Sequence, residues 1–445
     1  MLSPPKAGPE PEILLGDVRD RLRDLEPGSV QAAVTSPPYP WMRNYGVRGQ
    51  LGMERTLDEY LDTQVGVFRE VRRVLRPDGT LWLNVGDQYA GGGRGAPGPN
   101  GKVPHDRRQG FTANPGGLPR GHKEGDLVEV GSMLAAALRA DGWWLRARIT
   151  WHKKNPVPDR RGDRPTSASE FVFLLAPSRH YYYDPHAVLE PLAGTTLERI
   201  GHAISAVARD SKHGVGAKDG VPRLASVDAA GRPVHNVWDM DEMRSVVAVA
   251  RKPNTHGKAF HYSGDTAGRP VQNVWFLEDP ADDLWTIPTQ PYPEAHFAAF
   301  PEALAERCIR LGTPDGGACA SCGTPLERVV RLEPVRWQPP RWTGAPRPGF
   351  AVAKPRGQDG YVEGSKATHR GGWDDRPRLF YRSRTVRWRR RCGHSGPTVP
   401  ATVLDPYTGS GASLAAARRL GRRSIGTELN PAYVAIARRR CGLAA

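Results

Sequence analysis

The chain has 445 residues, enough for one large α/β domain with insertions or for two or three domains, so size does not limit its core. Its 63 Lys and Arg against 47 Asp and Glu give a net charge of +16, which suits a polyanionic partner such as DNA or RNA. The alternative is that the charge reflects the codon usage of a GC-rich genome, which favours Arg over Lys. No apolar run is long enough to span a membrane, and residues 1–11 lack a signal core, so we expect a cytoplasmic protein.

Strand-like and helix-like segments alternate along residues 12–186, which is the rhythm of a parallel α/β sheet. The predicted elements are strands at 13–15, 30–34, 80–85, 146–151 and 171–176 and helices at 57–75 and 127–140. Pro77-Asp78-Gly79 predicts a turn just before the third of these strands. Residues 91–125 are rich in Gly and Pro, and we expect a mobile loop there, near the functional site.

The second half of the chain is less regular. Residues 187–282 lack clear periodicity and contain an internal repeat, because residues 230–238 recur at 267–275 with one change. A helix predicted at 301–311 precedes a long segment rich in Arg and Trp. The chain then ends in a βαβ pattern, with strands at 402–404 and 424–427 and a helix at 414–420.

The run Thr35-Ser36-Pro37-Pro38-Tyr39 follows an apolar strand and places a hydroxyl, a carbonyl and an aromatic ring at the strand's end. An amino group on a base is a poor nucleophile, and it needs acceptors for both N–H bonds to become reactive. Ser36 Oγ and the Pro37 carbonyl can supply them, and Pro37 and Pro38 leave no competing N–H. Tyr39 can stack on a base that is flipped out of a duplex. The alternative is a purely structural role, in which a Pro-rich turn caps a strand.

A second motif follows the strand at 402–404. Asp405 and Pro406 begin a tight turn in which Gly409 and Gly411 let the backbone approach a ligand. Glu428 ends the next strand, where a carboxylate could hold both hydroxyls of a ribose. A Gly-rich turn alone is weak evidence, because many such matches are ordinary turns. Together with Glu428 and the Ser-Pro-Pro-Tyr run it predicts a nucleoside-binding site.

The two motifs together resemble those of the DNA amino-methyltransferases, which methylate N4 of cytosine or N6 of adenine with S-adenosylmethionine. The order of the motifs, with Ser-Pro-Pro-Tyr first and the Gly-turn last, is that of the family's β group. The resemblance implies a circularly permuted, Rossmann-like α/β fold and S-adenosylmethionine as cofactor. It also implies double-stranded DNA as substrate, with base flipping, and a cognate restriction endonuclease as a candidate partner in a restriction-modification system.

The resemblance covers residues 12–186, 283–312 and 397–441, a little over half of the chain. Residues 151–156, followed by residues 164–166 and Glu170, resemble the stretch that follows the family's catalytic motif. The site residues that the resemblance adds are His296, Phe297 and Phe300, expected against the methionine part of the cofactor, and Asp17, expected against the adenine. The alternatives are a helix start with core aromatic residues and a solvent-facing Asp at a strand end.

This resemblance also predicts how the chain is divided. The predicted parts are a catalytic half at 1–186, a candidate target-recognition region at 187–282, a cofactor-binding half at 283–312 with 397–445, and a zinc-ribbon-like basic insert at 313–396. Target recognition is assigned to 187–282 because the resemblance does not reach that region.

The choice of base depends on Ser36 and on the cysteines. Methylation at C5 of cytosine needs a cysteine nucleophile, which follows a proline in relatives, and none of the five cysteines here follows Pro. Ser at the first motif position is common in N4-cytosine relatives, whereas Asp or Asn is common in N6-adenine ones. We therefore predict a DNA (cytosine-N4)-methyltransferase. The alternatives are an N6-adenine enzyme, an RNA methyltransferase and a non-catalytic DNA-binding protein.

A possible zinc site lies in the insert. Cys319-x-x-Cys322 and Cys392-x-His394 supply four ligands suited to tetrahedral zinc, and an odd number of cysteines does not suit a disulfide framework. The long gap between the two pairs weakens the prediction, because unrelated surface cysteines and a loop histidine would look similar. The Arg and Trp residues between the pairs predict either a DNA contact or a solvated basic face.

Overall fold

A computed structural model describes residues 8–91, 118–154, 156, 164–190, 232–233, 284–290, 300–337 and 378–444. The predicted loop at 91–125 lies mostly outside these residues, as do His296, Phe297 and nearly all of the region 187–282. In the described part of the chain, no helix is both long and apolar enough to cross a membrane.

The elements follow the predicted alternation with small changes in their ends. The strands are β1 (Glu12–Leu15), β2 (Val30–Thr35), β3 (Leu75–Val85), β4 (Trp144–His152), β5 (Ser169–Ala176), β6 (Leu189–Glu190), β7 (Arg232–Pro233), β8 (Leu284–Thr286), β9 (Ala318–Cys319), β10 (Glu327–Trp337), β11 (Arg378–Arg389), β12 (Thr398–Val399), β13 (Thr402–Asp405) and β14 (Arg423–Glu428). The α-helices are α1 (Val18–Arg21), α2 (Leu57–Val74), α3 (Val130–Ala140), α4 (Glu302–Gly312), α5 (Ala412–Arg419) and α6 (Pro431–Arg440).

Eight strands form one mixed sheet in the order β1-β14-β13-β2-β3-β5-β4-β8. Neighbours from β1 to β3 are parallel, and so are β4 and β8. The expectation of a parallel sheet is corrected at β5, which runs antiparallel to both β3 and β4. β4 and β5 are consecutive in the chain, and adjacent antiparallel strands need no crossover helix between them.

The last two strands of the chain, β13 and β14, lie inside the sheet between β1 and β2. β13 pairs with β2 through Val403 with Ala32 and Leu404 with Ala33, and β14 lies between β13 and β1. The carboxyl ends of parallel strands share one edge of a sheet. The Ser-Pro-Pro-Tyr run after β2 and the Gly-turn after β13 therefore meet, although about 370 residues separate Thr35 from Asp405 in the sequence.

β2 is buried along all six residues, as expected for a central parallel strand covered on both faces. α2 begins at Thr56, whose side chain accepts a hydrogen bond from the Glu59 N–H, and it buries one apolar face. The predicted turn at 77–79 is instead an irregularity inside β3. Leu75 pairs with Val30, and the pairing resumes only at Thr80 with Ala32, so the intervening residues bulge out of the strand.

Helices cover both faces of the sheet. In β3, Leu81 and Leu83 point into one core with α2 and α3, whereas Trp82 between them points into the other core. That second core contains α4 and α5, and the Trp82 ring stacks 6.3 Å from the Trp285 ring, centroid to centroid. This alternation with period two is the expected behaviour of a strand between two helical layers.

The chain divides into two compact units. The first comprises Met1–Val188, Pro233–Val329 and Arg387–Ala445, and the second comprises Leu189–Arg232 and Val330–Val386. The first unit contains the large sheet and also the two ends of the predicted insert, at 313–329 and 387–396. The functional division of the chain into four parts stays a prediction.

Candidate active site

A cavity of about 770 Å³ opens at the carboxyl ends of the parallel strands. Its volume is in the range of pockets that bind small organic ligands. The predicted residues that line it are Asp17, Ser36, Pro37, Pro38, Tyr39, Phe300, Asp405, Pro406, Gly409 and Glu428. The structure thus brings both motifs to one cavity. Phe300 is half-buried against the second core, while His296 and Phe297 lie outside the described residues.

The Ser-Pro-Pro-Tyr run leaves β2 and is fixed by its neighbours. The Tyr60 hydroxyl of α2 donates to the Pro38 carbonyl at 2.9 Å. Ser36 Oγ lies 3.3 Å from the Tyr39 hydroxyl, so these two side chains contact each other inside the cavity. Burial raises the pKa of the Tyr39 hydroxyl well above its usual value, and the nearby Glu170 carboxylate raises it further. Tyr39 is therefore a neutral phenol that has one proton to donate.

That proton points at Glu170. The Tyr39 hydroxyl donates to Glu170 Oε2 at 3.1 Å, and Asn84 Nδ2 donates to the same oxygen at 3.2 Å. Lys153 Nζ lies 2.6 Å from Glu170 Oε1 in a largely buried ion pair. Since Tyr39 donates to Glu170, the Ser36 hydroxyl donates to Tyr39 in this arrangement. The lone pairs of Ser36 Oγ are then available to accept a hydrogen bond in the cavity.

Gly86 makes this arrangement possible by its lack of a side chain. A Cβ at this position would lie 2.7 Å from Cε2 of Tyr39 and 3.1 Å from the carboxyl carbon of Glu170. The first distance is shorter than real Cβ contacts, so the Tyr39 ring would have to move, and the second would require a small shift of Glu170. A glycine at the end of β3 therefore lets the Tyr39 ring and the Glu170 carboxylate come together.

The Gly-turn is organised around the buried Asp405 carboxylate. It accepts hydrogen bonds from the Thr35 hydroxyl at 2.7 Å, from the Tyr407 backbone N–H at 3.0 Å and from the Ser413 hydroxyl. These bonds join the end of β2 to the turn and to the start of α5. Asp405 thus holds the two motifs in register, and its direct contact with a cofactor stays a prediction. Gly411 is not among the cavity-lining residues; it begins α5 with φ +80°, a conformation that favours glycine.

Glu428 ends β14 beside the turn. Its Oε2 accepts from the Gly409 N–H at 2.9 Å and its Oε1 accepts from the Asn430 N–H at 2.8 Å. Burial raises the pKa of this carboxyl. Each carboxylate oxygen has two lone-pair sites, so both retain capacity for a ligand hydroxyl. Tyr45 and Tyr433 also line the cavity and form an edge-to-face pair with ring centroids 6.3 Å apart.

Asp17 lines the cavity but is already engaged by the protein. It caps α1 through the Arg19 N–H at 2.9 Å and binds the Arg19 guanidinium at 2.9 and 2.5 Å. The Arg19 hydrogen bonds hold the pKa of the Asp17 carboxyl below its usual value. The expected contact between Asp17 and an adenine stays a prediction.

The sequence patterns assigned no role to several residues of this site. They are Tyr45, Asn84, Gly86, Lys153, Glu170 and Tyr433. A signal was present for Asn84 and Gly86, because polar and small residues at the end of an apolar strand are typical of the ligand-binding edge of an α/β sheet. Lys153 and Glu170 lie in segments that resemble the family, but the contact of Glu170 with Tyr39 and that of Lys153 with Glu170 depend on the folded sheet.

The four predicted metal ligands also come together. Each of Cys319, Cys322, Cys392 and His394 offers one ligand atom, and these atoms all lie within 4.8 Å of one another. The other two cysteines lie elsewhere, buried in the protein, and burial raises the pKa of Cys308 and raises that of Cys441 to about 11. Three thiols and one imidazole are ligands of the kind that zinc binds in proteins.

The sequence matches a known protein family and several of its members. The sequence pattern of a DNA methylase family, that of the N6 and N4 methyltransferases, matches residues 30–320 and 399–439. The Type II methyltransferase M.SmaI of Serratia marcescens is 32% identical over 308 residues, which are 69% of this chain and 76% of that protein. The Type II methyltransferase M.XycI of Xanthomonas campestris pv. cyanopsidis is 44% identical over 195 residues, 42% of this chain and 64% of that protein.

A weaker likeness relates the chain to solved structures. The PvuII DNA methyltransferase, described as cytosine-N4-specific, is 13% identical with a TM-score of 0.45, over 98% of this chain and 87% of that one. Likeness at this level adds nothing about the substrate.

Proposed function

The chain belongs to the N6 and N4 DNA methylase family, and from that membership we propose that it transfers a methyl group from S-adenosylmethionine to the exocyclic N4 amino group of cytosine in DNA. The observation that carries the proposal is the shared cavity. It is lined both by a Ser-Pro-Pro-Tyr run suited to an amino group and by a Gly-turn with Glu428 suited to a nucleoside. The proposal includes the permuted order of the family's β group, in which the cofactor half comes last.

The cofactor half of the cavity fits S-adenosylmethionine. Glu428 would accept hydrogen bonds from the ribose hydroxyls through the lone pairs that Gly409 and Asn430 leave available. The backbone around Gly409 would approach the ligand closely, and Phe300 would contact its methionine part. When bound, the cofactor supplies an already activated sulfonium methyl group.

The other half of the cavity would orient the target base. Ser36 Oγ and the Pro37 carbonyl would accept the two N–H bonds of the amino group and draw its nitrogen towards a tetrahedral geometry. Tyr39 would contact the base, and Glu170 would fix the Tyr39 and Ser36 hydroxyls so that Ser36 acts as an acceptor. Positioning and exclusion of water would supply most of the acceleration, which requires no metal.

The choice of cytosine N4 is supported by Ser36 at the first motif position. The choice of DNA is supported by the family and by the net charge of +16. We propose that target recognition lies in residues 187–282, by elimination, and that a cognate restriction endonuclease is a partner. Exchange of this region with that of a relative should change the methylated sequence, and an unchanged target sequence would contradict the assignment.

The experiment that tests the proposal is expression in a host that lacks this methylation, followed by mass spectrometry of the host DNA nucleosides. We expect N4-methylcytosine. N6-methyladenine would keep the fold and the cofactor but change the base. Absence of both modifications, together with tight DNA binding and no uptake of S-adenosylmethionine in calorimetry, would favour a non-catalytic DNA-binding protein. Modified RNA with unmodified DNA would favour an RNA enzyme.

A further inference from the structure

We propose that Cys319, Cys322, Cys392 and His394 bind one structural zinc ion, which joins the segment before β10 to the segment after β11. These two strands form a two-stranded sheet, the β10–β11 ribbon. The proposal starts from the mutual distances of the four ligand atoms, all within 4.8 Å. Tetrahedral zinc, about 2.3 Å from sulfur and about 2.0 Å from nitrogen, places its ligand atoms roughly 3.5 to 3.8 Å apart. Small side-chain rotations therefore bring these four atoms to the corners of such a tetrahedron.

The backbone around the first two ligands has the shape of a compact knuckle. Cys319 ends β9, its N–H donates to the Thr324 carbonyl at 2.9 Å, and its carbonyl accepts from the Gly323 N–H at 2.7 Å. Gly323 has φ +66°, which allows the chain to reverse here. The Thr324 hydroxyl lies 3.2 Å from the Cys322 sulfur, a contact that can orient this ligand.

The second ligand pair, Cys392 and His394, follows the end of β11. β12 pairs with β9 through Thr398 and Cys319, and the Ala320 N–H donates to the Pro397 carbonyl at 3.1 Å. The Arg390 side chain donates to the Gly396 carbonyl and so closes the loop that carries Cys392 and His394. Backbone hydrogen bonds between β9 and β12 thus hold the two ligand pairs close together without a metal ion.

The position of the four ligands explains what a metal would do. Cys322 precedes β10, which begins at Glu327, and Cys392 follows β11, which ends at Arg389. One ion bound to both pairs would close the long loop between them and restrict the unfolded chain. The base of the ribbon is also held by charges, because Glu327 pairs with Arg389 at 2.5 Å and with Arg391 at 2.7 Å.

The cluster is remote from the proposed chemistry. Arg76 Nη1, at the start of β3, donates to the Cys322 carbonyl at 2.6 Å, and Gln31 Nε2, near the start of β2, donates to the Gly323 carbonyl at 3.4 Å. The knuckle therefore packs at the amino ends of the strands, whereas Ser36 follows the carboxyl end of β2. A metal here would stabilise the protein and would take no part in methyl transfer.

The experiment measures metal and stability in the full-length chain. Purified protein should contain one zinc ion per chain by inductively coupled plasma mass spectrometry. A chelator should lower the melting temperature, and added zinc should restore it. Replacement by cobalt should give the visible absorption typical of tetrahedral cobalt bound to thiolates. None of these measurements depends on methyltransferase activity.

Matched variants locate the site. Cys322→Ser and His394→Gln should lose most of the zinc, whereas Cys441→Ser, in a buried cysteine outside the cluster, and His180→Gln, in an exposed histidine, should retain it. Wild-type protein without zinc, whose melting temperature responds neither to chelator nor to added zinc, would overturn the proposal. So would unchanged zinc content in both cluster variants, or a disulfide between Cys319 and Cys322 in the native protein.

Discussion

The Tyr39 hydroxyl donates to Glu170 Oε2 at 3.1 Å and lies 3.3 Å from Ser36 Oγ. This chain of contacts links a carboxylate on β5 to the predicted catalytic serine after β2. A hydroxyl has one proton, so a carboxylate that accepts from Tyr39 also determines which way the Ser36 hydroxyl points. Glu170 is therefore a positioning residue in the proposed reaction, and Lys153 holds it in place.

Replacement of Glu170 by Gln should lower kcat about tenfold or more and leave the affinity for S-adenosylmethionine unchanged. The amide keeps the size of the side chain but loses the charge that makes this hydrogen bond strong, and it leaves Lys153 without its ion pair, at a cost of about 1–3 kcal/mol in stability. Steady-state kinetics and calorimetry measure both quantities. Glu26→Gln, in an exposed residue, is the control.

A double-mutant cycle tests whether Glu170 acts through Ser36. If it does, Glu170→Gln should cost much less in a Ser36→Ala background than in the wild-type protein. Additive losses in kcat would contradict this role.

Replacement of Ser36 by Ala should reduce kcat roughly 10²- to 10³-fold, as loss of one oriented polar group at the reacting atoms does in other enzymes. The cofactor half of the cavity should be unaffected, so binding of S-adenosylmethionine should persist. Ser29→Ala is the matched control, because Ser29 lies just before the opposite end of β2. Full activity in the Ser36→Ala variant would remove the proposed role of this hydroxyl.

Replacement of Gly86 by Ala should displace Tyr39 or Glu170, since the new Cβ would lie 2.7 Å from the tyrosine ring. We expect a loss of about 1–3 kcal/mol in stability together with a fall in kcat. Gly66→Ala is the control, because Gly66 lies within α2 and an added Cβ would meet no atom within 4 Å beyond its chain neighbours and the adjacent helix backbone. That change should stabilise the helix by about 0.5–1 kcal/mol, measured by denaturant unfolding. Equal effects of the two changes would contradict the packing argument.

Replacement of Glu428 by Gln should weaken binding of S-adenosylmethionine by roughly 10- to 100-fold, the equivalent of about 1.5–3 kcal/mol for lost charge-assisted hydrogen bonds. The amide has one acceptor oxygen, so it can no longer accept from both the Gly409 and the Asn430 N–H. Calorimetry measures the affinity, with Glu12→Gln on the exposed part of β1 as control. An unchanged dissociation constant would place the ribose elsewhere.

The native protein should resist alkylation at Cys308 and Cys441. Burial raises the pKa of Cys441 to about 11 and also raises that of Cys308, and the thiolate is the reactive form. A raised pKa means that reactivity appears only as the pH rises towards that value. Iodoacetamide labelling at mildly alkaline pH, followed by peptide mass spectrometry, should modify both residues only after unfolding. Fast labelling of Cys308 in the folded protein would contradict its burial.

Local patterns in the sequence were sufficient to predict most of the α/β elements and the two motifs at strand ends. Runs such as Val30–Thr35 and turns such as the one after Asp405 depend on neighbouring residues, so the local sequence is sufficient to predict them. The same patterns placed a turn before Thr80, where the strand in fact continues with a bulge. They also indicated a parallel sheet, whereas β5 runs antiparallel to both of its neighbours.

Long-range packing decided the rest. Insertion of β13 beside β2 brings Asp405 to Thr35, and the antiparallel β5 brings Glu170 to Tyr39. The pairing of β9 with β12 brings Cys319 to Cys392. These contacts join residues that are 73 to 370 positions apart, and no periodicity or spacing encodes which distant strands become neighbours. The chemistry of single residues is therefore local, whereas the orientation of the Ser36 hydroxyl and the assembly of the metal cluster depend on the folded sheet.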